Sequence, residues 1–132
     1  MKTPKLQELS NEQLAERFKQ LSLQQGEAEM CNDMRTYSRR LYQLKDVSAE
    51  LRRRGPEARR VLIPLLNCPR SAGLLNAVAQ CRYNAAYELL AVEPDRPRAT
   101  LEEIANSISS QYQMALARGI LEVLNNGTLK PT

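Results

Sequence analysis

Hydrophobic side chains recur every three or four residues along most of the chain, the spacing that places them on one face of an α-helix. The first stripe consists of Leu14, Phe18 and Leu21. It follows a capping-box pattern, in which the Ser10 hydroxyl accepts from the Gln13 amide and the Gln13 side chain reaches back. We predict a first helix that begins after Ser10 and either weakens near Gly26 or continues to Glu29.

The second stripe predicts a longer helix that starts at about Glu29 or Asp33 and ends at Arg54. Its inward positions are Met34, Tyr37, Leu41, Leu44, Val47 and Leu51. Gly55 is well suited to the position immediately after a helix, because glycine adopts left-handed backbone conformations without strain. Pro56 suits both the stop of this helix and the first turn of the next one.

The middle of the chain predicts two further helices. The third runs from Pro56 to about Leu66, and Pro64 should kink it or confine it to two turns. The fourth covers about residues 71–92, and a break near Gln80 stays open. Its inward positions are Leu74, Leu75, Val78, Ala79, Ala85, Ala86, Leu89 and Leu90.

The C-terminal part predicts two more helices and no strand. Asp95 is placed to cap a fifth helix over about residues 96–107. The sixth covers about residues 109–124 and ends at Asn125-Asn126-Gly127. Short loops favour antiparallel neighbours. The expected fold class is therefore all-α, with about six helices in antiparallel pairs that form one domain over residues 1–132. A short HEAT- or armadillo-like solenoid is the preferred architecture, and a compact six-helix bundle is the alternative.

Composition supports a globular helical domain. The chain has 132 residues, of which 42% are hydrophobic, with one Phe and no Trp, so the core must be aliphatic. The N-terminal residues lack the apolar run of a signal peptide, and no segment approaches the roughly 20 apolar residues of a membrane span. We expect a cytoplasmic protein that does not bind membranes.

The residue types present argue against several classes of enzyme. The chain has no histidine, which removes the usual nucleophile–histidine systems and most zinc sites. No glycine-rich phosphate-binding motif occurs. The three cysteines, Cys31, Cys68 and Cys81, are too widely spaced for a metal knuckle and are expected to be free, buried thiols. We predict no enzyme activity, no catalytic residues, no metal and no cofactor.

The charge distribution gives the only candidate binding surface. The net charge is +4, yet nine basic residues lie between Arg35 and Arg60, opposed by only Asp46, Glu50 and Glu57. The expected partner-binding residues are Arg35, Arg39, Tyr42, Arg52 and Arg53. The alternative is an ordinary solvated helix face, with local ion pairs and arginine stems that cover apolar surface.

Three segments carry a resemblance to a known family: residues 50–60, which contain Leu51-Arg52-Arg53-Arg54-Gly55-Pro56, residues 82–94, and residues 121–132. Together they resemble a family of small bacterial proteins of unknown function described as HEAT-repeat-like. The resemblance extends over nearly the whole chain. It implies the helical fold and supplies no catalytic residues.

Two functions follow as hypotheses. The first is a non-enzymatic protein-binding module, in its specific version an immunity protein that neutralises a cognate bacterial toxin. The alternative is a nucleic-acid-binding HEAT-like protein that uses a basic groove, whose binding would weaken steeply with salt. The identity of the partner, the helix face that binds it and the oligomeric state are left open by the sequence.

Overall fold

The computed structural model describes residues 4–108 and 110–132, and this part of the chain consists of helices joined by short turns. The six α-helices are α1 (Asn11–Met30), α2 (Met34–Arg54), α3 (Pro56–Arg59), α4 (Leu75–Leu89), α5 (Asp95–Ala105) and α6 (Gln111–Asn125). Segments of 3₁₀ helix cover Leu6–Glu8, Arg60–Asn67 and Arg70–Ala72. Since these residues contain no strand, the predicted all-α class is confirmed. The solenoid arrangement stays a prediction.

The first two helices each begin with a side-chain cap, and the one at Ser10 was predicted. The Gln13 amide donates to the Ser10 hydroxyl over 3.1 Å, and the Ser10 amide donates to the Gln13 side chain over 2.8 Å. α1 then continues through Gly26 to Met30. Asp33 caps α2, because it accepts from both the amide and the hydroxyl of Thr36. Of the two predicted starts of α2, the later one is therefore correct.

The segment after α2 changes helix type because of its prolines. Gly55 has a φ of 105°, a left-handed value that favours glycine, and Pro56 opens α3. Within an α-helix the ring of Pro64 would clash with the carbonyl group four residues earlier, that of Arg60. The chain accordingly continues as 3₁₀ helix from Arg60 to Asn67, with Pro64 inside it.

Two predicted features of the C-terminal half are wrong. α4 begins at Leu75 and not near Ser71, because Gly73 and Leu74 have extended backbone; Leu74 and Leu75 are consequently exposed. Asp95 is the first residue of α5, so its side chain does not cap the helix. The sequence left open a break near Gln80, and α4 is continuous there. The predicted start of the sixth helix, Ser109, lies outside the described residues.

The core lies where α1 packs between α2 and α4, with α5 and α6 against the far side of α4. Phe18, the only phenylalanine, is almost fully buried at its centre. Its buried neighbours include Leu14, Leu21, Leu44, Val47, Leu51, Ala85, Ala86, Leu89, Leu101, Ile104 and Ala117. α4 therefore contacts helices on both of its sides, and this makes it the central element of the molecule.

Candidate functional site

The five predicted partner-binding residues all lie on α2, but they do not form one free surface. Arg35, Arg39, Tyr42 and Arg53 fall on one helix face by their spacing. Tyr42 is 65% exposed. Arg52 projects about 100° away from that face, the angle between successive residues of an α-helix.

Arg35 and Arg39 are the unpaired part of the predicted surface. Both are exposed, and within the described residues neither guanidinium forms a hydrogen bond or an ion pair. Their positive charges help to lower the pKa of the nearby Asp33 carboxyl group. The pKa of Asp33 lies below its ordinary value, first because Thr36 donates two hydrogen bonds and then because Arg39 and Arg35 are close.

Arg53 is held by an internal ion pair. Its guanidinium donates to both oxygens of the Glu50 carboxylate, at 3.0 and 2.5 Å, and Arg54 donates to the same carboxylate at 2.7 Å. These hydrogen bonds lower the pKa of Glu50 to about 2. Arg54 also donates to the Leu6 carbonyl oxygen, so the group fixes the N-terminal turn to the end of α2.

Arg52 pairs with a carboxylate on a different helix. Its Nε and Nη2 atoms donate to the two oxygens of Glu88 on α4, at 2.6 and 3.2 Å. The Glu88 side chain is only 5% exposed. Arg59 donates to the backbone oxygen of Glu88 at 2.6 Å and lies 3.4 Å from its carboxylate. Arg52 thus anchors α2 to α4 through an internal ion pair.

A groove lies beside this ion pair, between α2 and α4, and we call it the α2–α4 groove. Its volume is about 610 Å³. Its floor and walls are mostly apolar and aromatic. They consist of Phe18, Leu41, Leu44, Lys45, Ser48, Ala49, Arg52, Tyr83, Asn84, Tyr87, Glu88 and Ile120.

The rim of the groove is aromatic and positively charged. Tyr83 and Tyr87 stack with their ring centres 6.5 Å apart. The Lys45 ammonium lies 5.5 Å from the centre of the Tyr42 ring, a cation–π distance. Glu88 is the only carboxylate that lines the groove, and it is already paired with Arg52 and Arg59. Lys45 therefore has no carboxylate partner within the groove.

A network of buried side-chain amides lies beneath the groove and was not predicted from the sequence. Asn84 donates to the Ser22 hydroxyl at 3.0 Å and to Gln25 at 2.8 Å, and it accepts from Gln80 at 3.0 Å. Gln113 of α6 donates to Gln80 at 3.1 Å. The sequence does contain a signal for such a network, namely polar residues within the apolar stripes of α1 and α4. Buried polar groups need hydrogen-bond partners, so these residues would be expected to bond to one another.

The network continues to the end of α1. The Glu29 carboxylate accepts from Gln113 and from Asn76, both at 3.0 Å. Near it, the Tyr37 and Tyr112 rings meet edge to face with centres 5.6 Å apart. Tyr37 is buried, as predicted, and this burial is the main reason that its pKa is raised. The hydrogen-bonded network thereby joins α1, α4 and α6.

The cysteines divide into two kinds. Cys68 and Cys81 are free and buried, as predicted, but Cys31 is exposed because it lies at the turn that ends α1. In the described part of the chain, no three side chains of the metal-binding types come together. None of the helices described there has the length and apolar character that a membrane crossing demands.

Comparison with known proteins supports the helical fold. The chain is 26% identical to the protein RPA1889 from Rhodopseudomonas palustris CGA009, whose crystal structure superposes with a TM-score of 0.83. The match covers 98% of this chain and 100% of that protein. No curated protein matches the chain.

The family assignment comes from the helical region itself. Residues 12–125, from the first turn of α1 to the end of α6, match a domain of unknown function, DUF2019. This confirms the predicted helical family of unknown function, whereas no match supports a HEAT-repeat family. The chain is a member of the DUF2019 family.

Proposed function

We propose that this protein is a non-enzymatic protein-binding module whose α2–α4 groove receives a partner segment with an apolar side chain flanked by carboxylates. The observation that carries the proposal is a largely apolar groove of about 610 Å³ with a cationic rim that lacks a free carboxylate. An apolar anchor would fill the groove, and an acidic neighbour would meet Lys45. Tyrosine and arginine are the residue types favoured at protein interfaces.

The groove offers little support for acid–base catalysis. Its only carboxylate, Glu88, accepts hydrogen bonds from two guanidinium groups. A catalytic base must be free to take a proton from a substrate. Binding without chemistry is therefore the function that we favour.

The exposed arginines extend the proposed surface. Arg35 and Arg39 lie on α2 with Tyr42, roughly three and two helix turns before Lys45, respectively. Acidic side chains that follow the anchored segment would reach them, which would speed association more than it strengthens the complex. Arg53 and Arg52 contribute less, because each is already paired with a glutamate.

An immunity protein is the narrower form of this proposal. In that case the partner is a toxin, and occupation of its acidic surface by the groove and the exposed arginines would block its activity. The support for this step is analogy with other small helical binding proteins.

The groove proposal is tested by selecting binders from a displayed library of random peptides. We expect the selected peptides to share a leucine or aromatic residue flanked by Asp or Glu. Ala49→Trp should fill the groove and Lys45→Glu should reverse the rim charge, each weakening binding at least about tenfold, or 1.4 kcal/mol. Lys5→Glu is the matched charge-reversal control and should bind normally. Arg52 is avoided as a test position because its loss would also release Glu88.

Equal binding of the selected peptides to Ala49→Trp and wild type, or no enrichment at all, would reject the groove. The nucleic-acid alternative is measured in parallel with duplex DNA at two salt concentrations. DNA binding that falls steeply with salt and disappears in Arg35→Glu/Arg39→Glu would favour that alternative. It has less support here, because Arg52, Arg53, Arg54 and Arg59 are bonded within the chain.

A further inference from the structure

Two buried thiols lie together in a second, smaller cluster beside α4. Cys68 ends the 3₁₀ helix Arg60–Asn67, and Cys81 lies within α4. Both belong to a small cluster that also contains Leu23, Ala77 and Val78. The two sulfurs are not bonded to each other. The cluster is separate from the residues that line the α2–α4 groove.

A hydrogen bond fixes the two segments in register. Arg82, the residue after Cys81, donates to the Leu66 carbonyl oxygen at 2.8 Å, two residues before Cys68. The two cysteines belong to the same buried cluster, and the Cys81 thiol is the neighbour with the largest effect on the ionisation of Cys68. The two cysteines are therefore adjacent in the fold, as an intramolecular disulfide requires.

Only one of the two cysteines lines an opening. A cavity of about 360 Å³ is lined by Cys68 but not by Cys81. Arg70 and Arg82 also line it, so the surroundings of Cys68 contain two cationic side chains. Reactive cysteines are found in such electropositive and partly accessible surroundings.

The electrostatics distinguish the two thiols in the same way. The hydrogen bond from Cys81 lowers the pKa of Cys68 to about 7, against the opposing effect of burial, and Lys19 and Arg82 lower it further. The pKa of Cys81 is raised, first by its hydrogen bond to Cys68 and then by burial. Of the two thiols, Cys68 therefore ionises more readily and Cys81 less readily than an ordinary cysteine.

We propose that Cys68 and Cys81 are a reversible oxidation site, in which a hydroperoxide oxidises Cys68 and Cys81 then closes an intramolecular disulfide. In the first step the Cys68 thiolate attacks the peroxide and the O–O bond breaks. Cys68 becomes a sulfenic acid, and the peroxide is reduced to water or an alcohol. In the second step Cys81 loses its proton and attacks the Cys68 sulfur; the S–S bond forms, the S–O bond breaks and water leaves.

The second step follows from the first. Oxidation of Cys68 removes the thiolate whose charge and hydrogen bond hold the proton on Cys81, so Cys81 becomes easier to deprotonate when it is needed. A dithiol reductant returns both residues to thiols by exchange through a mixed disulfide.

The test uses a Cys31→Ser background, since the exposed Cys31 thiol would otherwise form disulfides between molecules. The protein is treated with hydrogen peroxide, then unfolded, alkylated and analysed by mass spectrometry. We expect loss of both alkylatable thiols in a monomeric chain, and their recovery with dithiothreitol. In Cys31→Ser/Cys81→Ser, Cys68 should stop at the sulfenic acid and be captured by dimedone. In Cys31→Ser/Cys68→Ser, Cys81 should stay reduced.

The proposal is overturned if both thiols of the Cys31→Ser protein remain alkylatable under peroxide that oxidises Cys31 in the wild type. It is also overturned if Cys68 is oxidised while Cys81 stays free in the same protein. Both outcomes are measured in the Cys31→Ser protein, so they do not depend on whether the double variants fold.

Discussion

At the scale of single residues, the most consequential side chain is Glu88. It is buried, and two arginines from different segments direct hydrogen bonds to it. Leaving a buried charge without its partner is far more costly than breaking an exposed pair. Glu88 therefore holds α2, the segment after α2 and α4 together at one point.

We predict that Glu88→Gln lowers the free energy of unfolding by about 3 kcal/mol, the lower end of the range for a broken buried pair, because Arg52 is partly in water. The matched control is Glu57→Gln. Glu57 also pairs with an arginine, Arg60, but its side chain is 90% exposed, so the loss should stay below about 0.5 kcal/mol. Urea unfolding of the three proteins measures both changes. Similar losses in the two variants would contradict the structural role of Glu88.

At the scale of helices, the crossing of α1 and α4 depends on a glycine. A Cβ atom at Gly26 would lie 2.6 Å from the Ala77 Cα and 2.7 Å from the Asn76 carbonyl oxygen. Both of these are backbone atoms, which cannot rotate away. Gly26 thus allows the two helix backbones to approach closely, and the amide network depends on that approach.

Gly26→Ala is expected to destabilise the protein by about 1–3 kcal/mol, because overpacking outweighs the gain in helix propensity. Gly119→Ala supplies the matched control in α6. No atom lies within 4 Å of a Cβ built there, so this variant should be more stable than wild type by about 0.5–1 kcal/mol. Thermal unfolding followed by circular dichroism compares them. If Gly26→Ala stabilised the protein as much as Gly119→Ala, the close crossing of α1 and α4 would be contradicted.

At the scale of the whole molecule, the net charge of +4 conceals how the charges are arranged. The arginines at the end of α2 and in α3 form ion pairs with Glu50 and Glu88, whereas Arg35 and Arg39 form none within the described residues. The ion pairs of Glu50 stabilise the fold only while its carboxylate is ionised. Acid should weaken the fold as a consequence.

Glu50 gives this expectation a defined pH range. Its pKa falls from an ordinary value of 4.5 to about 2 in the folded protein. A lowered pKa adds stability that is fully present above pH 4.5 and is lost as the pH falls towards 2. We expect the stability difference between wild type and Glu50→Gln to be constant above about pH 5.5 and to shrink by more than half at pH 3. Urea unfolding at several pH values measures it, and a difference that is the same at pH 6 and pH 3 would contradict the ion pair.

The sequence by itself determined the features that depend on near neighbours. The capping box at Ser10 and the turn at Gly55 each involve residues within four positions of one another, so the sequence alone predicts them. Helical spacing likewise predicted that Tyr37 is buried and Tyr42 exposed. These local rules were sufficient for the all-α class, for the start of α1 and for the end of α2.

Only the tertiary structure decided which charged side chains are paired and which side chains form the groove. Arg52 and Glu88 are 36 positions apart, so nothing local showed that this arginine is paired and that Arg35 and Arg39 are not. The groove needs side chains of α2 and α4 side by side, and the amide network needs α1, α4 and α6. Even the pairing of Cys68 with Cys81 requires the 3₁₀ segment to pack on α4. Such contacts arise from how helices pack, and packing depends on the shape of the whole chain.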